Sequence, residues 1–232
     1  MTSHWHDPAS VRHWNDVVVG TTPCRILHFE ILRRFFCGSP TSPFRVLDVG
    51  CGSGRVAEAL GDCRPGIEWT GFDDSQAMID LACMTVLNSA RADWRRVDMI
   101  GIAAWPFERA SFDCALLIQT LHLLEHEEKK RAISRVGEHL APNGTIFVMD
   151  RFLLPNAAMF DVYLAAWHTR NSEQPSPIVP PGNYERYAAM PFEAGDRVES
   201  IRAHLELFEE LGFTAEIVHA YADRALLAAR RA

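Results

Sequence analysis

Apolar and polar positions follow two rhythms along this chain. Short, near-continuous apolar runs suit strands buried on both faces of a parallel sheet. Between them lie stretches in which apolar residues return every three or four positions, as on one face of a helix. The runs predict strand one over Arg45–Val49, strand two over Glu68–Phe72, strand three over Trp94–Val97, strand four over Phe112–Ile118 and strand five over Thr145–Met149. Helices are predicted over Arg55–Leu60, after Ser75, whose hydroxyl suits an N-cap, and over Glu125–Leu140, with Ile133, Val136 and Leu140 inward. Pro142-Asn143-Gly144 reads as the turn into strand five.

The flanks are less regular. Ser10–Phe36 reads as helical, opened by Asp7-Pro8 and interrupted at Thr21-Thr22-Pro23, and Gly38–Pro43 as a linker. Beyond strand five, Arg151–Arg170 reads as a helical excursion, Asn171–Asn183 as a proline-rich loop, and Tyr184–Ser200 shows no clear period. A last helix, Ile201–Leu211, stops at Gly212. Two short strands follow, Thr214–His219 and Ala225–Ala229, whose link is short enough to demand a hairpin, so one of them runs antiparallel. Alternating βα units imply an α/β fold with a doubly wound, mostly parallel sheet.

Size and composition narrow the class. The chain has 232 residues, 48% of them hydrophobic, which suits one domain. It divides into a helical N-terminal cap (1–42), a core (43–150), an insertion (151–200) and a closing helix and hairpin (201–232). No apolar run approaches the roughly 20 residues of a membrane span. The polar start, MTSHWHDPASVRHW, lacks the apolar region of a signal peptide, so a cytoplasmic location is expected. A formal net charge of −7 argues against a nucleic-acid partner. The six cysteines form no CxxC pair and no zinc-like spacing, as for reduced thiols in the cytoplasm.

The chemistry concentrates in Phe44–Val56, FRVLDVGCGSGRV. An apolar run carrying Asp48 breaks into Gly50, Gly52 and Gly54, and a helix then begins: a nucleotide-binding strand, turn and helix N-terminus. The glycines permit a tight turn and close approach of a ligand, and are expected to leave backbone N–H groups free at the helix start. Ligands of such sheets bind at the carboxyl ends of the strands. Those ends carry Asp73 after strand two, placed to accept from both ribose hydroxyls and to repel a 2′-phosphate. They also carry Asp98-Met99 after strand three, the acid for an adenine amino group and the thioether over the ring, and Leu117–His122 after strand four. An adenosine ligand fits. The spacing is GxGxG rather than GxGxxG, and the acid at Asp48 favours a cationic, amino-acid-bearing adenosine over a pyrophosphate.

At this point the sequence resembles a class I S-adenosylmethionine-dependent methyltransferase of the small-molecule type. The matching pieces stand in family order: VLDVGCGSG at Val46–Gly54, GFDDSQAMI at Gly71–Ile79, VDM at Val97–Met99, Pro106-Phe107 with SFDCALLIQTLHLL at Ser111–Leu124, and RVGEHLAPNGTIFVMD at Arg135–Asp150. The resemblance implies a Rossmann-like methyltransferase fold, a seven-stranded sheet of order 3-2-1-4-5-7-6 with strand seven antiparallel. It implies that Gly50, Cys51 and Gly52 lie against the methionine part of the cofactor and that Asp73 holds the ribose with Asp74 beside it. Met78 would pack on the adenine, Asp98 and Met99 would hold it, and Leu117 and Gln119 would meet the methionyl end.

Methyl transfer from a sulfonium needs mainly alignment, with a base only where the acceptor must lose a proton. His122 is the candidate base. Strand four ends in Gln119-Thr120-Leu121-His122, which lacks the acids for a metal site, so no metal is expected. A small-molecule acceptor is the best match. Its pocket is expected from the N-terminal helices, through Trp14 and Arg25, and from the insertion, through Tyr163, Trp167 and His168. A non-catalytic adenosylmethionine-binding regulator and, more remotely, an NAD-dependent oxidoreductase remain as alternatives. Monomer and homodimer both remain open.

Overall fold

The computed structural model describes residues 7–13, 24–85, 92–173 and 181–232. Helix α1 (Pro8–His13) and α2 (Arg25–Gly38) precede β1 (Phe44–Val49), α3 (Arg55–Leu60), β2 (Ile67–Asp73), α4 (Gln76–Thr85) and β3 (Ala92–Arg96). Then come β4 (Phe112–Ile118), α5 (His126–His139), β5 (Leu140–Arg151), α6 (Phe160–Glu173), α7 (Tyr184–Glu193), α8 (Ile201–Glu210), β6 (Phe213–Tyr221) and β7 (Arg224–Arg231). The strands form one seven-stranded sheet of order β3-β2-β1-β4-β5-β7-β6. Strands β1 to β5 pair in parallel, and β7 runs antiparallel to both β5 and β6. This is the doubly wound architecture and strand order expected from the sequence.

Two apolar layers cover the sheet, and strand parity decides which residue enters which. Leu47, Val49, Ala115, Leu117, Ile146 and Val148 face α5 and α8, meeting Ile133, Val136, Leu207 and Phe208. Val46, Cys114, Leu116, Ile118, Phe147 and Met149 face α2 and α3, meeting Leu32, Phe36, Val56 and Leu60. Successive side chains of a strand point to opposite faces, so neighbours in sequence serve different layers.

Three elements differ from the sequence reading. β5 starts at Leu140 rather than after the turn: Leu140 pairs with Phe112 and Thr145 with Cys114, so Pro142-Asn143-Gly144 bulges within the strand. α6 continues to Glu173. Tyr184–Glu193 is a helix, capped by the Asn183 side chain, which accepts from the Arg186 N–H at 2.8 Å. Only Tyr187 of that helix is buried, and Pro191 lies inside it, so no apolar period marks it in the sequence.

Candidate active site

The turn after β1 is closed by its own backbone. The Gly50 and Cys51 N–H groups both donate to the Phe72 carbonyl at 2.9 Å, and the Gly54 N–H donates to the Cys51 carbonyl at 3.1 Å. The Gly52 N–H donates to Asp73 Oδ2 at 3.1 Å, and Asp73 Oδ1 accepts from the Ser75 N–H at 2.9 Å. The expectation of free N–H groups here is therefore corrected for these four residues: their N–H groups are spent inside the chain, which removes the cradle a diphosphate requires. Gly50 has φ +68°, and a Cβ there would lie 2.7 Å from Thr120 Cγ2, so this position admits no side chain.

A cavity of about 80 Å³ opens on this turn. Gly50, Cys51, Gly52 and Asp73 line it, with Met78 from α4, Arg25 from α2, and Ile118 and Gln119 from the end of β4. Arg25 Nη1 donates to Gln119 Oε1 at 3.0 Å and its guanidinium lies 4.7 Å from the Phe29 ring centre. Burial lowers Arg25 to about 10, which leaves it charged at neutral pH.

Asp73 lines this cavity, and Asp48 is buried outside its wall. Asp73 is pushed up to about 6, chiefly by burial. Asp48, behind the turn, is pushed up to about 7 by burial, with the Asp73 charge adding to it and the Trp69 Nε1–H, 3.3 Å away, opposing it. Desolvated carboxylates of this kind favour a cationic neighbour. Each Asp73 oxygen carries one backbone hydrogen bond and retains acceptor capacity for hydroxyl donors. These observations fit a sulfonium- and ammonium-bearing adenosine.

Several sequence-predicted residues lie elsewhere. Leu117 is fully buried on the α5 side of the sheet; Ile118, one residue on and so on the opposite face, takes the wall position. Met99 is also corrected: its side chain joins the core with Phe72 and Trp105, and its carbonyl accepts from Trp105 Nε1 and Arg135 Nη1. Asp98 is exposed and accepts from the Ile100 N–H at 3.0 Å, and the Asp74 carbonyl accepts from Arg96 Nε; neither lines the cavity. Trp14 falls outside the described residues. Ser53, Arg55, Val56 and Ile118 line the cavity without having been singled out in the sequence. For Ile118, counting strand parity from Asp48 across the pair Asp48–Leu116 would have found it.

A second, smaller cavity, about 40 Å³, lies where α6 meets the β6–β7 hairpin. Tyr163, Trp167 and Arg170 line it from one face of α6, with Tyr221, Ala222, Asp223 and Arg224 opposite. His168 is exposed, and it lies outside this wall because one residue turns a helix by about 100°.

His122 sits beyond the end of β4, on the wall of neither cavity. Its Nδ1 is 2.6 Å from Asp150 Oδ1, its backbone N–H donates to Asp150 Oδ2 at 3.1 Å, and its Nε2 is 4.0 Å from Asp196 Oδ1. Burial would raise the Asp150 carboxyl, but the charge and hydrogen bond of His122 and two backbone N–H groups hold it below the usual range. Among the described residues no cluster of three or more His, Cys, Asp or Glu could hold a metal ion, and no helix is long and apolar enough to cross a membrane.

Comparison with known proteins agrees with this geometry. Residues 46–144 match the family described as methyltransferase domain. The chain is 27% identical, over 92% of its length and 82% of the relative's, to a ubiquinone biosynthesis O-methyltransferase of Marinobacter nauticus. It is 22% identical, over 65% of its length and 64% of the relative's, to a carboxy-S-adenosyl-L-methionine synthase of Campylobacter hominis. In fold it is similar to an O-methyltransferase family protein from Burkholderia thailandensis, with a TM-score of 0.72 at 13% identity, covering 99% of this chain and 61% of that one. The chain thus spans under two thirds of the length of two of these three proteins.

Proposed function

We propose that the chain, whose residues 46–144 match a methyltransferase domain family, is a class I S-adenosylmethionine-dependent methyltransferase that transfers a methyl group from S-adenosylmethionine to a small-molecule acceptor. The observation that carries the reading is the Asp73 carboxylate, which clasps the glycine turn through Gly52 and faces a cavity closed by Met78, Arg25 and Gln119.

The residues divide the work as follows. Asp73 takes the ribose hydroxyls on its remaining lone pairs, with Asp74 beside it adding negative charge that a 2′-phosphate would meet. Met78 covers one face of the adenine. Gly50, Cys51 and Gly52 bring bare backbone against the methionine portion, and Asp48 and Asp73 supply the negative field for its ammonium. Gln119, oriented by Arg25, meets the methionyl end. When bound, S-adenosylmethionine supplies a methyl carbon already activated by a sulfonium leaving group. The protein's remaining task is alignment, which can contribute about 7–11 kcal/mol.

Where the acceptor is a hydroxyl, we assign its proton to His122 by way of a water, because His122 lines neither cavity. Asp150 fixes the ring through Nδ1, which leaves Nε2 as the basic atom. Six unpaired cysteines suit a reducing compartment, and we place the protein in the cytoplasm.

Calorimetry with S-adenosylhomocysteine and with NADH, followed by turnover on a panel of small phenols, amines and acids, tests the reading. Adenosylhomocysteine binding with methylated product is the expected result. Binding without turnover on any acceptor would leave a regulator, and NADH binding in its place would leave an oxidoreductase.

A further inference from the structure

The cavity between α6 and the β6–β7 hairpin is built for an anion on a ring. Tyr163, Trp167 and Tyr221 give it aromatic walls, and Arg170 and Arg224 contribute two guanidinium groups against the single carboxylate of Asp223. Arg224 is mostly buried, and its Nε makes no hydrogen bond although Asp223 Oδ1 lies 3.5 Å away. A buried, charged N–H without an acceptor is costly, so the wall is short of an oxygen. Neither Tyr221, whose hydroxyl donates to the Ala166 carbonyl at 2.5 Å, nor Tyr163 accepts from the Arg224 Nε–H.

This cavity lies at the same edge of the sheet as the first. Arg224 opens β7 opposite Arg151, the residue after Asp150, at the carboxyl end of β5. Cys24 lies within electrostatic reach of Arg170, Arg224 and Asp223, and the next residue, Arg25, lines the first cavity. The start of α2 therefore lies close to both.

We propose that this cavity is the acceptor site and that the acceptor is a small aromatic carboxylate, its ring between Tyr163 and Trp167 and its carboxylate on Arg224 and Arg170. A planar guanidinium receives a carboxylate through paired hydrogen bonds, and aromatic faces give a ring large contact at little entropic cost. The assignment of the carboxylate stands on the cavity itself; its role as acceptor rests on the methyltransferase reading above.

The test is calorimetry of the full chain with 4-hydroxybenzoate, 4-hydroxybenzamide and 4-hydroxybenzylamine, with and without saturating S-adenosylhomocysteine. The benzoate is expected to bind at least tenfold more tightly than the amide, and the amine more weakly still. Arg224→Gln is expected to abolish the preference for the acid and Arg170→Gln to reduce it severalfold, with S-adenosylhomocysteine affinity kept within twofold in both. Should Arg224→Gln fail to fold, Arg170→Gln and quenching of Trp167 fluorescence, compared with Trp167→Leu, decide the matter. Equal binding of acid and amide, no binding of the acid, or an unchanged preference in the arginine variants would overturn the proposal. A preserved preference for benzoate in a protein that does not bind S-adenosylhomocysteine would remove the methyltransferase reading and leave the anion site standing.

Discussion

Arg25 and Gln119 are 94 residues apart in the chain, yet Arg25 Nη1 donates to Gln119 Oε1 at 3.0 Å and the pair closes one side of the first cavity. The contact ties the N-terminal cap to the end of β4. Arg25→Ala should lower S-adenosylhomocysteine affinity about tenfold, the effect of losing roughly one charge-assisted hydrogen bond. Arg25→Lys should recover only part of it, because an ammonium lacks the planar fork. Titration calorimetry on the two variants checks both values.

Leu117 and Ile118 should separate stability from binding. Leu117 is fully buried between β4 and α5, so Leu117→Ala should cost about 2–5 kcal/mol in urea unfolding. Its cofactor affinity, measured on the folded fraction, should stay close to that of the parent. Ile118→Ala should lower the affinity as well, because Ile118 forms part of the cavity wall.

Gly50 should tolerate no Cβ. Gly50→Ala combines a positive φ with a contact of 2.7 Å to Thr120 Cγ2, and should destabilise the fold by about 2–4 kcal/mol. Adding Thr120→Ala should return part of that loss by removing Cγ2. Failure of the double variant to recover any stability in denaturant melts would locate the strain elsewhere.

Asp48 should make stability fall with rising pH. Its folded pKa of about 7 lies above the ordinary carboxylate value of 3.8, so the folded state binds more protons than the unfolded chain between those limits. Its contribution is fully present below about pH 4 and is lost as the pH passes through 7. Asp48→Asn keeps an acceptor for Trp69 Nε1 and removes the charge. Its stability relative to the parent should therefore rise between pH 4 and 7, by roughly 1–3 kcal/mol, and level off above. A difference that does not change across that range would refute the assignment.

His122 and Asp150 should affect turnover rather than cofactor binding. On a hydroxyl acceptor, His122→Gln should reduce kcat by about 10²–10⁴-fold, the usual weight of a general base, with S-adenosylhomocysteine affinity unchanged. Asp150→Asn should shift the pH profile of kcat, since the charge opposite Nδ1 is gone. A His122→Gln enzyme with near-parental kcat and reduced stability would assign His122 to holding the β4 loop.

The order of apolar runs, glycines and acids along the chain determined the fold and the cofactor end of the site. Local rules suffice there: an apolar run must pair within a buried sheet, the glycine turn must follow it, and Asp73 closes that turn through the Gly52 N–H. Where a side chain's role depends on direction, tertiary structure decided. Parity placed Leu117 in one layer and Ile118 at the cavity, packing drew Met99 into the core, and helical phase set Trp167 on a wall and His168 in solvent. Only the folded chain brings Arg170 and Arg224, Arg25 and Gln119, or His122 and Asp150 together. Each of these pairs spans elements whose separation in sequence carries no periodic signal, and it is the sheet order that makes their ends neighbours.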